Sequence, residues 1–378
     1  MILFKGFIEL YRENRKMFVL FTLIITLGSI SFGLTYPYFL PETEKIIGDT
    51  LYKLVIIGYM LIVPVVYSYY RVNLKPKVTL STIITVKIIN LLTLILKIIN
   101  KVDLTPVFII TIPLSTALST VYWIELQYTG YSFYNNHNRI RITTYTSTVF
   151  DATVLIGYFL SSIIYPHTVI LFTLSLLLNI ILIIILLFIV SVTTEKPSTD
   201  PINIIVKYKH EFFLYGLVLL LYSITEIAEP FLANNISQKF AGWLLMITSI
   251  LSIIIVNVGV IINLRDNTIK RELVILLITG ILLTLMSTSK LVLFLYPIIL
   301  PMFDSLSYSI RHKIIKQEKE ENTHIIMITG LLAYGALTPI LLPLLFTNIN
   351  YTTFITTAGL LTIITSILII NKLNNKKT

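Results

Sequence analysis

The chain has 378 residues, 56% of them apolar, with a formal net charge of +10 and a mean hydropathy of +0.86. It contains no cysteine, which removes disulfides and thiolate metal sites. Apolar runs of membrane-crossing length fill residues 17–371, separated by short and mostly basic loops, so a soluble globular reading is excluded.

A bilayer core about 30 Å thick takes about 20 residues of helix to cross. Lipid offers no partner to free backbone groups, so the crossings must be helices or a closed barrel. The runs at 171–190 and 273–286 lack the period-2 alternation of barrel strands. In chain order, about twelve spans are predicted: 17–36, 51–70, 78–97, 103–124, 144–165, 168–192, 212–232, 240–263, 273–288, 291–310, 324–346 and 352–371. The first run is long and lacks a small-residue cleavage site, so it reads as a retained helix. Only residues 287–290 divide the ninth span from the tenth. The stretch from Ser191 to Glu211 is the longest connection on its side. It carries Pro197 and Pro201, as a linker between packed units does.

The loops sort the charge. With both termini cytoplasmic, 22 of the 29 lysines and arginines fall on the cytoplasmic side, 6 fall outside, and Lys87 alone lies within a span. This is the positive-inside pattern of a multi-pass protein of the cell membrane. The basic excess is therefore topological, and no nucleic-acid partner is expected. No HExxH, GxSxG, P-loop or strand-borne GxGxxG pattern occurs, so no enzyme is expected. The five histidines lie at or near span ends without metal-ligand spacing, and no cofactor or metal is implied.

Ionisable groups inside spans cost roughly 2.5–3.5 kcal/mol each on insertion scales, which makes each a candidate for function. In the first span, Ser31 and Tyr36 could line a cavity. Lys87 sits near the middle of the third span, where a short snorkel leaves it in need of an acid, so a structural ion pair is expected. In the fourth span Ser119 and Tyr122 are cavity candidates, and Glu125 beside Trp123 reads as an interfacial anchor. Asp151 lies inside the fifth span, as a functional acid or one half of an ion pair.

The seventh span holds the densest polar group, Tyr222, Thr225, Glu226 and Glu229, followed by Pro230. Spacing of three puts both carboxylates on one helix face. Two acids one turn apart resist being ionised together, which suits a proton carrier. Pro230 weakens the helix beside them, as at a gate. The other reading leaves Glu229 interfacial and Glu226 bonded to a neighbouring helix. In the tenth span Asp304 and Tyr308 form a polar face, unless Asp304 pairs with Arg311 or Lys313.

An internal repeat emerges at an offset of 194: Lys45-Ile-Ile-Gly48 matches Lys239-Phe-Ala-Gly242, and Arg71 to Lys77 matches Arg265 to Arg271. Pro37 falls one residue from the counterpart of Pro230. The division expected is 1–195, a six-helix bundle; 196–211, a cytoplasmic linker; and 212–378, a second six-helix bundle.

Two six-span halves, a basic loop after the second span of each, and a central linker resemble the major facilitator superfamily. That family's loop reads Gly-x-x-x-Asp-Arg-x-Gly-Arg-Arg/Lys. The second-half copy keeps Gly259, has Asn263 at the Asp position, retains Arg265 and ends in Lys270-Arg271. The first-half copy has Tyr69 at that position and keeps Arg71 and Lys77. The resemblance implies an all-α membrane protein of two pseudo-symmetric bundles with a solute site near the midplane. It also implies that the seventh and tenth spans border the cavity. The function expected is secondary active transport of a small organic solute by alternating access, coupled to protons, by a monomer in the lipid bilayer. Efflux of an amphipathic compound is placed ahead of sugar or metabolite uptake. A non-transporting membrane scaffold or partner subunit is the remaining alternative.

Overall fold

The computed structural model describes residues 2–72, 76–100, 104–133, 139–188, 201–265, 269–286, 296–317, 323–348 and 350–375. Nearly all of them are helical. In chain order the helices are α1 (Ile2–Glu13), α2 (Arg15–Ile47), α3 (Thr50–Met60), α4 (Ile62–Val72), α5 (Pro76–Asn100), α6 (Thr105–Phe133), α7 (Arg139–Ile164) and α8 (Thr168–Leu187). There follow α9 (Pro201–Lys207), α10 (Lys209–Ile236), α11 (Ala241–Arg265), α12 (Ile269–Met286), α13 (Tyr296–Gln317), α14 (Thr323–Leu337) and α15 (Tyr351–Asn375). A 3₁₀ segment, Thr338–Phe346, prolongs α14.

The described parts of the predicted spans are almost wholly helical, residues 103, 189–192, 287–288 and 291–295 lying outside the described residues, and among the described residues eight helical segments are long and apolar enough to cross a membrane. Three shorter apolar helices lie in α11, α12 and α15. The second span is made of α3 and α4, which meet at Leu61. Two boundaries differ most from expectation. The first span does not stop at Pro37; α2 runs through Pro37 and Pro41 to Ile47. The fourth does not end at residue 124, because α6 continues to Phe133. One helix was not foreseen. α1 precedes the first span, Leu10 is buried, and the guanidinium of Arg15 lies 5.6 Å from the centroid of Tyr11. Asn14 separates it from α2 and accepts from the Met17 amide at 3.2 Å, satisfying one free donor of the new helix. Part of the expected linker is also structured: α9 is a short helix that buries Pro201 and Ile204 and packs on α14.

The packing pattern repeats. α2 packs on α7 and α8, and α10, its counterpart, packs on α14 and α15. The pairs α3–α6, α5–α6 and α5–α8 recur as α11–α13, α12–α13 and α12–α15. Small residues set the closest approaches. A Cβ on Gly157 would sit 2.6 Å from the Ile30 carbonyl oxygen and 2.8 Å from the Gly33 Cα, so α2 and α7 touch backbone to backbone. A Cβ on Gly216 of α10 would likewise sit 2.7 Å from the Ala333 carbonyl carbon of α14. Without a hydrophobic drive between helices in lipid, such contact is a principal source of association.

Candidate functional site: the junction of the first and seventh spans

The first six spans meet the second six mainly through α2–α10, α7–α11 and α4–α14. The α2–α10 contact is built on prolines. Proline has no N–H, so the carbonyl four residues earlier loses its helical donor. Pro230 thereby frees the carbonyl of Glu226, and the Tyr36 hydroxyl of α2 donates to it at 2.6 Å. Pro41 frees the carbonyl of Pro37, and Asn234 Nδ2 of α10 donates to it at 2.7 Å. Asn234 also bonds the Pro230 carbonyl at 2.7 Å. Each helix thus supplies the hydrogen bond that proline removed from the other. The repair at the Pro37 carbonyl accompanies the continuation of α2 through Pro41 to Ile47.

Tyr36 reaches a second acceptor, Oε2 of Glu229, at 3.0 Å. Glu229 is only 3% exposed, and its Oε1 has no hydrogen-bond partner. Thr248 of α11 lies beside it, and Tyr222 and Glu226 are near Tyr36. Next to this group, Tyr59 of α3 donates to the Ser223 carbonyl at 2.9 Å. Tyr334 of α14 meets Tyr59 edge-on, with ring centroids 6.0 Å apart. Its hydroxyl lies near the same Ser223 without closing a hydrogen bond of good geometry. Glu226, half-buried one turn before Glu229, acts electrostatically on Tyr36, Tyr59 and Tyr334. Towards the end of the bundle that carries the Gly48, Pro166 and Ser237 turns, Tyr38 and Tyr165 stack at 5.0 Å. Together they hold Gln238, Tyr38 through its backbone oxygen at 3.2 Å and Tyr165 through Oε1 at 2.8 Å.

The sequence candidates separate on this geometry. Tyr36, Tyr222, Glu226 and Glu229 come together. Thr225 is buried on the same helix with its hydroxyl on the Leu221 carbonyl at 2.8 Å. Asp151 is half-buried on α7, whose neighbour Phe150 packs on Phe32. Ser31 turns away from the junction, contrary to its reading as a cavity residue. It bonds Ser175 at 2.7 Å, takes Asn179 Nδ2 at 2.7 Å and receives the ammonium of Lys87 at 3.2 Å. The ion pair expected for Lys87 is thereby corrected: among the described residues its partner is a hydroxyl and no acid. Ser119 is exposed and bonds only its own helix, at Thr116. Tyr122 packs on Gly28 of α2. Glu125, read as interfacial, is fully buried beside Tyr69 of α4, with neither carboxylate oxygen hydrogen-bonded. Lys77 donates to the Leu187 carbonyl at 2.9 Å, a cation at the C-terminal end of α8, as the helix dipole favours. The side chains of Asp304, Tyr308, Arg71, Gly259, Arg265, Lys270 and Arg271 lie outside the described residues. Tyr59, Tyr334 and Asn234 were missed. Tyrosine is common in this chain, and nothing in sequence says which ones face the opposite half.

Similarity of fold is clear where similarity of sequence is not. No protein-family model and no curated protein matches the sequence. Among solved structures, the chain superposes on the POT family transporter PepTSo with a TM-score of 0.64 at 11% identity, covering 96% of this chain and 98% of that one. The xylose transporter XylE from E. coli gives 0.61 at 10% identity, over 92% and 96%. The fucose:proton symporter FucP from E. coli gives 0.57 at 12% identity, over 94% and 98%. The fold is that of these transporters, and the chain is an all-α multi-pass membrane protein.

Proposed function

We propose that this protein is a secondary active transporter that moves a small organic solute across the cell membrane by alternating access. In this reading residues 1–195 and 212–378 are two six-helix units that rock about the α2–α10 junction, and 196–211 joins them on the cytoplasmic side. Coupling is to protons, with the Glu226–Glu229 pair as the coupling group. Sequence alone pointed first to Glu226; the contacts favour Glu229. A monomer suffices, with lipid and solute as the partners, and no cofactor takes part.

One observation carries the coupling. A phenol has a single proton. The Tyr36 oxygen lies within hydrogen-bond distance of two acceptors, Glu226 O at 2.6 Å and Glu229 Oε2 at 3.0 Å. The shorter contact takes the tyrosine proton. The longer one is satisfied when Glu229 itself carries a proton and donates it to the Tyr36 oxygen. The closed α2–α10 junction therefore suits a protonated Glu229, and losing that proton favours separation. Export of an amphipathic compound remains ahead of sugar uptake, because the junction is lined with tyrosine rings. FucP, a fucose:proton symporter with this fold, keeps the uptake reading in play.

Glu229→Gln in proteoliposomes tests the assignment. The amide keeps a donor for Tyr36 and holds the site in its neutral form. Flux driven by an imposed pH gradient should fall by about 10²-fold or more, a loss on the scale of a missing proton-transfer group. Solute exchange at equal pH should persist. A folded variant that still follows the pH gradient at the normal rate removes Glu229 from the mechanism.

A further inference from the structure

We propose that α1 and α9 are a matched pair of amphipathic helices, one ahead of each half, that lie in the headgroup layer of the cytoplasmic leaflet. Their partner is lipid, with the exposed apolar side chains among the acyl chains and the basic side chains at the phosphates. The proposal rests on the topology given above and is independent of transport.

The two helices stand in the same place in the two halves. α2 begins at Arg15 and α10 at Lys209, 194 residues apart, which is the offset of the internal repeat. Ahead of each span stands one residue outside the helices, Asn14 in the first half and Tyr208 in the second. The Asn14 amide donates to the Leu10 carbonyl at 3.3 Å, and its carbonyl accepts from the Phe18 amide at 2.9 Å. Tyr208 repeats both bonds, with Ile204 at 3.0 Å and Phe212 at 2.9 Å. The packing repeats too: α1 lies on α7, the fifth span, and α9 lies on α14, the fifth span of the second half. Leu10 and Ile204, again equivalent, are the buried contacts. Leu10 joins a cluster with Ile142 and Tyr145, in the first two turns of α7.

Each helix leaves an apolar edge uncovered. Ile8 and Ile202, equivalent under the repeat, are 46% and 54% exposed. Tyr11 and Val206, one turn further on, are exposed as well. Spacing of three or four keeps each pair on one helix face. A lone exposed apolar residue is ordinary on any surface. Here the edge recurs in both halves and leads into the spans, where the equivalent Val19 and Phe213 are exposed to the lipid. Two edges on different halves are covered together by a continuous medium, and the bilayer is that medium. The charges suit the same depth. Basic residues outnumber acids around each corner, three to two in residues 8–16 and two to one in 201–211, so the apolar edge carries most of the binding and the phosphates add to it. At each corner a cation lies on a tyrosine ring, Arg15 on Tyr11 at 5.6 Å and Lys207 on Tyr208 at 5.1 Å. Tyrosine and basic side chains are those that anchor a chain at the membrane interface.

The test uses the full-length protein in liposomes, with a nitroxide on the single cysteine of Ile8→Cys or Ile202→Cys. Collisions with oxygen, which concentrates among acyl chains, are compared with collisions with a water-soluble nickel chelate. Both labels should favour oxygen and report a depth of about 5–10 Å, where an interfacial helix buries its apolar face. Glu13→Cys, exposed on the side of α1 away from Ile8 and Tyr11, should favour the chelate. If either variant fails to fold, Tyr11→Cys decides for α1 and Val206→Cys for α9. Labels at Ile8 and Ile202 that favour the chelate overturn the proposal. Shielding from both reagents also overturns it, because protein would then cover these edges. Insertion of one helix without the other overturns the pairing and the proposal with it. The leaflet is read separately: in cells, Glu13→Cys should react with an impermeant maleimide only once the cells are opened, and reaction from outside overturns the cytoplasmic placement. None of these outcomes bears on whether a solute is moved, so the transporter reading stands or falls by its own test.

Discussion

Lys87 shows how a single residue is read differently by spacing and by contact. A lysine in the middle of a span implies an acid nearby, because an isolated charge in lipid is expensive. The acid is not there among the described residues. The ammonium meets the Ser31 hydroxyl, which is already tied to Ser175 and Asn179. The two accounts separate on substitution. Breaking a buried ion pair destabilises by about 3–5 kcal/mol, because a lone charge is left behind. Removing one donor from a hydroxyl nest forfeits about 1 kcal/mol, offset by the end of the charge penalty. Lys87→Met should therefore leave the melting temperature unchanged or raise it. A large fall would show an acid partner at work. Sequence places such a residue on a helix but does not say which way it turns. Ser31 illustrates the same limit: a hydroxyl on the first span suits a cavity or a neighbouring helix equally, and here α8 claims it.

At the scale of the element, the prolines of α2 and α10 carry the argument. In sequence Pro37 reads as a stop and Pro230 as a weak point. In the fold both lie inside continuous helices, and donors from the opposite half fill the carbonyls that Pro230 and the next proline, Pro41, orphan. Local rules could not foresee this, since the compensating atoms, Tyr36 Oη and Asn234 Nδ2, are about 190 residues away in the chain. The acid pair itself was legible, because an i, i+3 spacing fixes a shared face whatever surrounds it. Glu125 was misplaced for a matching reason: α6 outlasts its apolar run, and burial follows the helix. Pro230→Ala makes the proline account testable. The new N–H bonds the Glu226 carbonyl within α10, and Tyr36 loses its stronger acceptor. The helix gains while the junction loosens. Ala233 is fully buried on α10, so a cysteine there reports opening. In the Pro230→Ala background its labelling by an impermeant maleimide should rise about 5–30-fold, the response to 1–2 kcal/mol. Unchanged labelling would mean that the proline-freed carbonyl does not hold the halves together.

At the scale of the whole molecule, the twelve predicted spans and the recurring helix pairs fit one proposed orientation. The Gly48, Pro166 and Ser237 turns lie at the end of the bundle where the halves are tied by Asn234, Tyr38, Tyr165 and Gln238. In the proposed topology that end is outside, because the predicted outer loops hold 6 of the 29 basic residues, against 22 in the predicted cytoplasmic segments. In the proposed cycle, a molecule closed on the outside with a protonated Glu229 is the state that follows an inward step delivering its proton site to the cytoplasm. The orientation is thus part of the proposed mechanism, since inverting it would reverse the side on which proton release would open the site. It can be checked without assuming transport. The chain has no native cysteine, so single cysteines report cleanly. Ser198→Cys in the central connection and Ser237→Cys in the turn after α10 should label from opposite faces in intact cells, Ser237→Cys from outside. Labelling of both from one side would remove a crossing between them, break the correspondence of α2 with α10, and take the coupling argument with it.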